Sequence, residues 1–245
     1  MQSHKIRTFL GANSTKGFVS LYDGLTDPLR GERRYLIKAG PGGGKSSFMK
    51  SIGRYMEETG SPVEYIRCSG DPDSLDGVYL PKAGIALVDA TAPHVGEPVC
   101  YGALDRYVDL GQFSNRDGLY PHRTAIMELS TAYKKEYQDD YGYLMAYGQL
   151  PRPMDGEAND LTGMLSTLPR IKLRSGRVRR RFSGAFSCKG MVDYFADQAA
   201  GLTLSVKIPF EASKKLESLA EDAAGLGYDA VLNFNPLFPD FINAL

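Results

Sequence analysis

Apolar residues in the first hundred positions fall into short blocks separated by glycine-, proline- or polar-rich stretches. Three of these blocks, 34–38, 63–68 and 84–89, predict buried strands. Between the first two, Ser46 to Glu58 has helical spacing and Gly60 follows as a stop signal. The order strand, helix, strand, strand predicts the start of an α/β domain with a mostly parallel sheet.

Outside this region the pattern predicts further elements. Near the start, Lys5 to Leu10 predicts a strand and Gly17 to Tyr22 a helix. Thr124 to Tyr147 predicts one or two long helices. The run from Arg170 to Arg181 alternates around a Ser-Gly pair and predicts a β-hairpin with seven Lys or Arg.

One segment is repeated within the chain. The run from Phe9 to Val19 recurs from Phe182 to Val192, with identical Phe, Gly, Ala, Ser, Lys, Gly and Val at matching positions. We therefore predict a duplication whose second copy is incomplete and degenerate. This copy is predicted to contain a strand at 202–207, a helix at 212–224 and a strand at 228–234. In place of a glycine loop it has Ile208 to Lys215, which contains no glycine.

These features divide the chain into three predicted regions. Residues 1–150 form a nucleotide-binding domain, 151–177 a connecting segment with the basic hairpin, and 178–245 the incomplete repeat.

Composition narrows the class of protein. The 245 residues carry 29 Lys+Arg and 29 Asp+Glu, so global charge gives no support for a nucleic-acid partner, and none is expected. No apolar run reaches the ~18–20 residues of a membrane span. The cysteines, Cys68, Cys100 and Cys188, are widely spaced, which predicts reduced thiols in a cytoplasmic protein.

The strongest chemical signal is a phosphate-binding loop pattern from Ala39 to Ser46. The predicted contacts to nucleotide come from Gly40, Pro41, Gly42, Gly43, Gly44, Lys45, Ser46 and Ser47. Glycines let backbone N–H groups approach phosphate oxygens, and the N-terminus of the following helix favours an anion. Lys45 would reach the β- and γ-phosphates, and the Ser46 hydroxyl would ligate Mg²⁺.

A carboxylate at the end of the next apolar strand completes the predicted metal site. Asp89 follows Ile85 to Val88 and would hold Mg²⁺ beside Ser46. No glutamate follows it directly, so the residue that activates water is left open between Thr91 and His94. A loop histidine beside proline is an equal interpretation of His94.

Two other charged segments allow both a functional and a structural interpretation. The loop from Cys68 to Gly77 has three carboxylates and would bind substrate, a second metal or the attacking water, or be a solvated turn. The basic hairpin would contact phosphates or supply an arginine, or be a solvated face. Arg106, Arg116 and Arg123 are further arginine candidates.

Taken together, Lys16 to Val19, the glycine loop, the acidic loop and Val88 to His94 resemble a family of bacterial P-loop ATPases with tandem P-loop domains. The resemblance is strong over residues 5–135 and weak in the second copy. It implies a P-loop NTPase fold with three α/β/α layers and a mostly parallel sheet. It also implies ATP as ligand and Lys45, Ser46 and Asp89 as its site.

The expected function is Mg²⁺-dependent ATP hydrolysis coupled to an unidentified process. A kinase for a small molecule or nucleotide is the first alternative, and a non-catalytic, nucleotide-dependent scaffold is the second. The second copy, which lacks the glycine loop, also suggests a protein partner or a homo-oligomer.

Overall fold

The fold is described by a computed structural model for residues 5–92, 97–150, 163–171, 174–200, 202–206 and 213–245. Its strands are β1 Lys5–Phe9, β2 Gly11–Ser14, β3 Gly17–Ser20, β4 Arg33–Lys38, β5 Val63–Arg67, β6 Leu75–Leu80, β7 Ile85–Asp89, β8 Asp105–Asp109, β9 Val178–Phe182, β10 Gly184–Ser187, β11 Gly190–Asp193, β12 Ala230–Phe234 and β13 Ile242–Ala244. Its helices are α1 Lys45–Glu58, α2 Arg116–Leu119, α3 Arg123–Gly148, α4 Phe195–Ala199 and α5 Ser213–Gly225.

Nine of these strands form one mixed sheet in the order β13-β12-β9-β1-β5-β6-β7-β4-β8. Four neighbouring pairs are parallel, namely β1/β5, β9/β12, β4/β7 and β4/β8. The other four, β1/β9, β5/β6, β6/β7 and β12/β13, are antiparallel. The prediction of a mostly parallel sheet is therefore wrong. The main cause is β6, which includes the last three residues of the predicted acidic loop and runs antiparallel between β5 and β7.

The prediction of three α/β/α layers is also wrong. Helix α1 packs on one face of the sheet, where Met49 lies in a core with Ile37, Val78 and Leu87. On the opposite face, the core around Leu36 is closed by residues of 3-10 turns and their neighbours, among them Tyr22 and Leu25. The long helix α3 makes contacts with β2 and β3. The chain is thus a mixed α/β protein, and its sheet does not have the mostly parallel architecture expected from the resemblance to P-loop NTPases.

The two copies of the repeated sequence have the same local structure. Each forms a sheet strand followed by a small hairpin, β1 with β2/β3 and β9 with β10/β11. The hairpin turns use Gly17 and Gly190, whose φ angles of 89° and 81° favour glycine. The predicted helix from Gly17 to Tyr22 is therefore wrong, because Gly17–Ser20 is a hairpin strand.

The strands around the two copies have approximate two-fold symmetry. Strands β1 and β9 meet antiparallel at Phe9 and Phe182. Each is flanked by a parallel strand, β5 or β12, and then by an antiparallel one, β6 or β13. The remaining strands, β7, β4 and β8, extend the sheet on the side of the first copy.

We call the strands from β1 to β8 in the sheet order its first half, and β9, β12 and β13 its second half. The basic segment leads into β9 and so lies between the two halves. Residues 174–177 are irregular and Val178–Phe182 is β9, so the predicted hairpin is absent from the described part of this segment. Three of its arginines have partners in the first half: Arg181 pairs with Glu64, Arg177 pairs with Glu32, and the Arg179 guanidinium lies 5.1 Å from the ring centroid of Tyr79.

In the second half, the predicted helix and final strand are confirmed as α5 and β12, with boundaries shifted by one or two residues. The predicted strand at 202–207 is irregular over its described part, 202–206, although Val206 exchanges two backbone hydrogen bonds with Leu245. Residues 207–212, where the glycine loop would have its counterpart, lie outside the described residues. Among the described residues, no helix is long and apolar enough to cross a membrane.

Candidate functional site

The glycine-rich loop connects the end of β4 to the start of α1. Gly42 and Gly44 have φ angles of 72° and 81°, a backbone region that favours glycine. Gly43 N–H donates to Gly40 O at 3.0 Å, and a Cβ added at Gly43 would lie 2.7 Å from the Ala39 Cβ. The turn is therefore too tight for a side chain at Gly43. It leads into a helix whose first N–H groups have no intrahelical acceptor.

Lys45 and Asp89 come together at the carboxyl edge of the sheet. Strand β7 runs parallel to β4 with Asp89 opposite Ile37, so both strands end at the same edge. The Lys45 ammonium lies 3.5 Å from the Asp89 carboxylate, and both side chains are 12% exposed. Lys45 also donates to the carbonyl oxygens of Ala39 and Gly40, at 2.8 and 3.2 Å. The structure thus brings together two of the predicted site residues.

Thr91 acts on Asp89 through two hydrogen bonds. Its backbone N–H donates to Asp89 Oδ1 at 2.8 Å, and its hydroxyl donates to the same oxygen. These contacts orient the carboxylate and leave Oδ2 toward Lys45. His94, the other predicted candidate for activating water, lies outside the described residues.

Ser46 connects the start of α1 to the neighbouring loop. Its Oγ accepts the backbone N–H of Leu75 at 3.0 Å. One lone pair of the hydroxyl is thereby used, and the second is available to a ligand. Ser47 follows in the first turn of α1 and is exposed.

The donors at this edge fit a magnesium–phosphate group better than a metal held by protein alone. Within the described ranges, no cluster of three or more His, Cys, Asp or Glu side chains could hold a metal. Mg²⁺ bound with a nucleotide needs one or two protein oxygens, because phosphates and waters supply the rest. Ser46 and Asp89 offer such oxygens, and the loop too tight for a Cβ at Gly43 offers backbone N–H groups.

The carboxylates of the predicted acidic loop are already engaged by protein groups. Asp71 accepts from the Asp73 N–H and the Ser74 hydroxyl. Asp73 pairs with Lys189, and buried Asp76 accepts the Tyr22 hydroxyl at 3.0 Å. The three side chains therefore point to separate partners, and a shared metal site is not formed by them.

The Cys68 thiol, in the buried part of this loop, has low reactivity. Burial, together with the nearby Asp76 carboxylate, raises the pKa of the Cys68 thiol to about 12. Cys68 is therefore a protonated thiol at neutral pH and not a nucleophile.

The arginine candidates are dispersed. Arg106 lies opposite Tyr35 inside β8, before the edge where β4 ends. Arg116 and Arg123 begin α2 and α3, and Arg123 donates to Tyr120 O. No contact of these arginines with the glycine loop is found among the described residues.

Two lysines near the loop were missed by the sequence analysis. Lys38, the last residue of β4, donates to Ala90 O, and its ammonium lies 5.5 Å from the Tyr107 ring centroid. Lys50, on α1, donates to Asp73 O at 2.6 Å. Both lie close in sequence to the glycine loop, which is the one signal that could have indicated them.

A cavity of about 950 Å³ lies beside the same acidic loop, between α3 and the two hairpins. Gly70 and Asp71 line one wall, and Asn13 and Phe186 come from the hairpins. Helix α3 contributes the tyrosines at 133, 137, 141, 143 and 147. The cavity and the start of α1 therefore both contact the segment that leads from β5 into β6.

Comparisons with protein-family models, curated proteins and solved structures found no match to this chain.

Proposed function

We propose that this chain binds ATP with Mg²⁺ and hydrolyses it to ADP and phosphate. The observation that carries the proposal is the junction of the glycine loop with α1. There Lys45 lies 3.5 Å from Asp89, at an edge where backbone N–H groups are available to an anion. This combination supplies positive charge, directed N–H donors and a carboxylate within one small region.

Each residue has a chemical role in this proposal. The backbone N–H groups of Gly42, Gly44 and Lys45 would hold phosphate oxygens, and the Lys45 ammonium would neutralise charge on the β- and γ-phosphates. Ser46 and Asp89 would hold Mg²⁺, which polarises phosphate oxygens when it is bound. Thr91 would fix the Asp89 carboxylate through the two hydrogen bonds already described.

The sequence resemblance to bacterial P-loop ATPases supports ATP as the nucleotide. The widely spaced cysteines support a cytoplasmic location, and the missing second glycine loop supports a process completed by a protein partner or a second copy of the chain.

A kinase is the second candidate, and the cavity favours it. A phosphoryl acceptor needs its own binding space near the nucleotide, and the cavity adjoins the loop that contacts Ser46 through Leu75. In this alternative the tyrosine-lined wall would bind the acceptor. The acidic loop itself no longer favours a kinase, because its carboxylates have structural partners.

Phosphate release separates the candidates. We expect steady phosphate release from ATP and Mg²⁺, lost in Lys45→Ala and Asp89→Ala and retained in the distant surface variant Lys16→Ala. ADP formation that depends on an added acceptor would favour the kinase. ATP binding without turnover would favour the non-catalytic scaffold. Equal phosphate release by Lys45→Ala and by the unaltered chain would contradict the assigned site.

A further inference from the structure

The hairpin turn of each repeat carries a lysine that reaches into the opposite half of the sheet. Lys189, in the turn of β10/β11, pairs with Asp73 between β5 and β6. Lys16, in the turn of β2/β3, pairs with Asp240 between β12 and β13. The two lysines occupy the same position of the repeat, and the two aspartates lie in corresponding connections.

Backbone hydrogen bonds follow the same exchange. Cys188 N–H donates to Gly70 O at 3.1 Å, and Thr15 N–H donates to Leu237 O at 3.0 Å. In both connections the aspartate follows a proline, in Pro72-Asp73 and in Pro239-Asp240. The two crossings are therefore equivalent contacts of the two-fold arrangement.

The equivalence ends at the glycine loop. In the first half, Lys50 donates to Asp73 O at 2.6 Å, and Leu75 N–H donates to Ser46 Oγ at 3.0 Å. The segment 73–75 is thus held by Lys189 on one side and contacts a predicted magnesium ligand on the other. For Lys16, the corresponding crossing ends at Asp240, in the half whose sequence has no glycine loop.

We propose that Lys189 is a positioning residue for the nucleotide site: by holding segment 73–75 it fixes the Ser46 hydroxyl for Mg²⁺. The second repeat thereby controls the site in the first. This inference rests on the proposed function only for its magnesium step, since the link from Lys189 to Ser46 is a feature of the protein without ligand.

The expected effect of removing the Lys189 ion pair depends on how exposed its two side chains are. The side chains of Lys189 and Asp73 are 49% and 75% exposed. Exposed ion pairs change an equilibrium by about two- to fivefold, and salt weakens them. Lys189 therefore influences the position of Ser46 and contributes little to the stability of the fold.

The first test uses the protein without nucleotide. Amide hydrogen exchange at Leu75 should become about two- to fivefold faster in Lys189→Ala. Lys189→Arg, which retains the charge, should restore the exchange rate of the unaltered chain. Lys16→Ala should leave it unchanged, because it breaks the equivalent crossing at Asp240. Equal exchange rates at Leu75 in all four proteins would overturn the proposal.

The second test measures the Mg²⁺ concentration that gives half-maximal ATP binding. Lys189→Ala should raise it about two- to fivefold, while ATP affinity in EDTA stays the same and Lys16→Ala changes neither. A Mg²⁺ requirement altered equally by both variants would contradict the assigned link. If no variant binds ATP but the exchange difference at Leu75 persists, the proposed function fails and the link from Lys189 to segment 73–75 stands.

Discussion

Lys45 bends back over the loop that precedes it and shares its charge between two carbonyl oxygens and Asp89. A ligand at the loop must offer this ammonium better acceptors than those carbonyls. Phosphate oxygens do so, because they carry negative charge and attract the ammonium more strongly than neutral carbonyl oxygens do. The geometry of Lys45 therefore fits the proposed anion site.

A second ion pair at the residue scale, Arg181 with Glu64, lies between the halves of the sheet. The two side chains are 1% and 8% exposed, and Thr8 donates a further hydrogen bond to Glu64. Burial alone would raise the Glu64 pKa, but the attraction and hydrogen bonds of Arg181 outweigh it, so the pKa lies below its usual value. Stabilisation by this carboxylate is therefore present above about pH 4 and falls as pH drops through the lowered pKa.

Replacing Arg181 by Leu should lower the free energy of unfolding by about 3–5 kcal/mol, because it leaves Glu64 buried without its partner. Urea denaturation at pH 7 measures this loss. In the variant the Glu64 pKa would be raised, so the difference from the unaltered chain should shrink as pH falls toward 4. The matched variant Arg174→Leu breaks a half-exposed pair with Asp229 and should cost at most about 1 kcal/mol. Equal losses would show that burial does not set the strength of the central pair.

At the scale of elements, α1 carries the site and its fit to the sheet depends on a close approach. A Cβ added at Gly53 would lie 2.5 Å from the Tyr65 ring on β5. Helix α1 therefore packs on the sheet at a distance that only glycine permits at this position. The N-terminus of the helix, and with it Ser46, is held by the same packing.

Gly53→Ala should therefore destabilise the protein by about 1–3 kcal/mol through overpacking, despite the higher helix propensity of alanine. Gly142→Ala on α3 is the matched control, since an added Cβ there meets no atom within 4 Å. It should stabilise by about 0.5–1 kcal/mol. Thermal unfolding of both variants measures the two signs. A stabilising Gly53→Ala would contradict the close packing of α1.

Most elements of the first half were predictable because their signals are local. Alternation or helical spacing identified β4, α1, β5 and β7, and glycines identified the loop that joins β4 to α1. Strand β6, Leu75–Leu80, was missed because its second and third residues, Asp76 and Gly77, were grouped with the acidic loop. Every residue of β6 is buried, because β5 and β7 lie on either side of it, and this packing cannot be read from the local sequence.

The hairpins show a second limit of local patterns. Gly17 to Tyr22 was interpreted as a helix, yet its backbone hydrogen bonds go to β2. The recurrence of the same segment at Gly190 was visible in the sequence and indicates a defined unit. The conformation of that unit depends on the positive φ at Gly17 and Gly190, which residue spacing does not encode.

At the scale of the whole molecule, the sequence predicted the grouping of the candidate site residues but not the elements that surround them. Lys45, Ser46 and Asp89 lie at one edge of the sheet because strands β4 and β7 are parallel neighbours. The crossing of Lys189 to Asp73 joins residues far apart in the chain and follows from the two-fold arrangement of the sheet. Sequence showed the repeat, and only the fold shows that each copy reaches into the other half.

The most direct test of the central claim is calorimetric titration of the chain with ATP, with Mg²⁺ and with EDTA. We expect saturable binding that Mg²⁺ strengthens, and a loss of affinity of about tenfold or more in Lys45→Ala, because hydrogen bonds to charged groups contribute about 1.5–3 kcal/mol. Lys16→Ala should bind as the unaltered chain does. Absence of binding by the unaltered chain, or equal affinity in Lys45→Ala, would contradict a nucleotide site at the glycine loop.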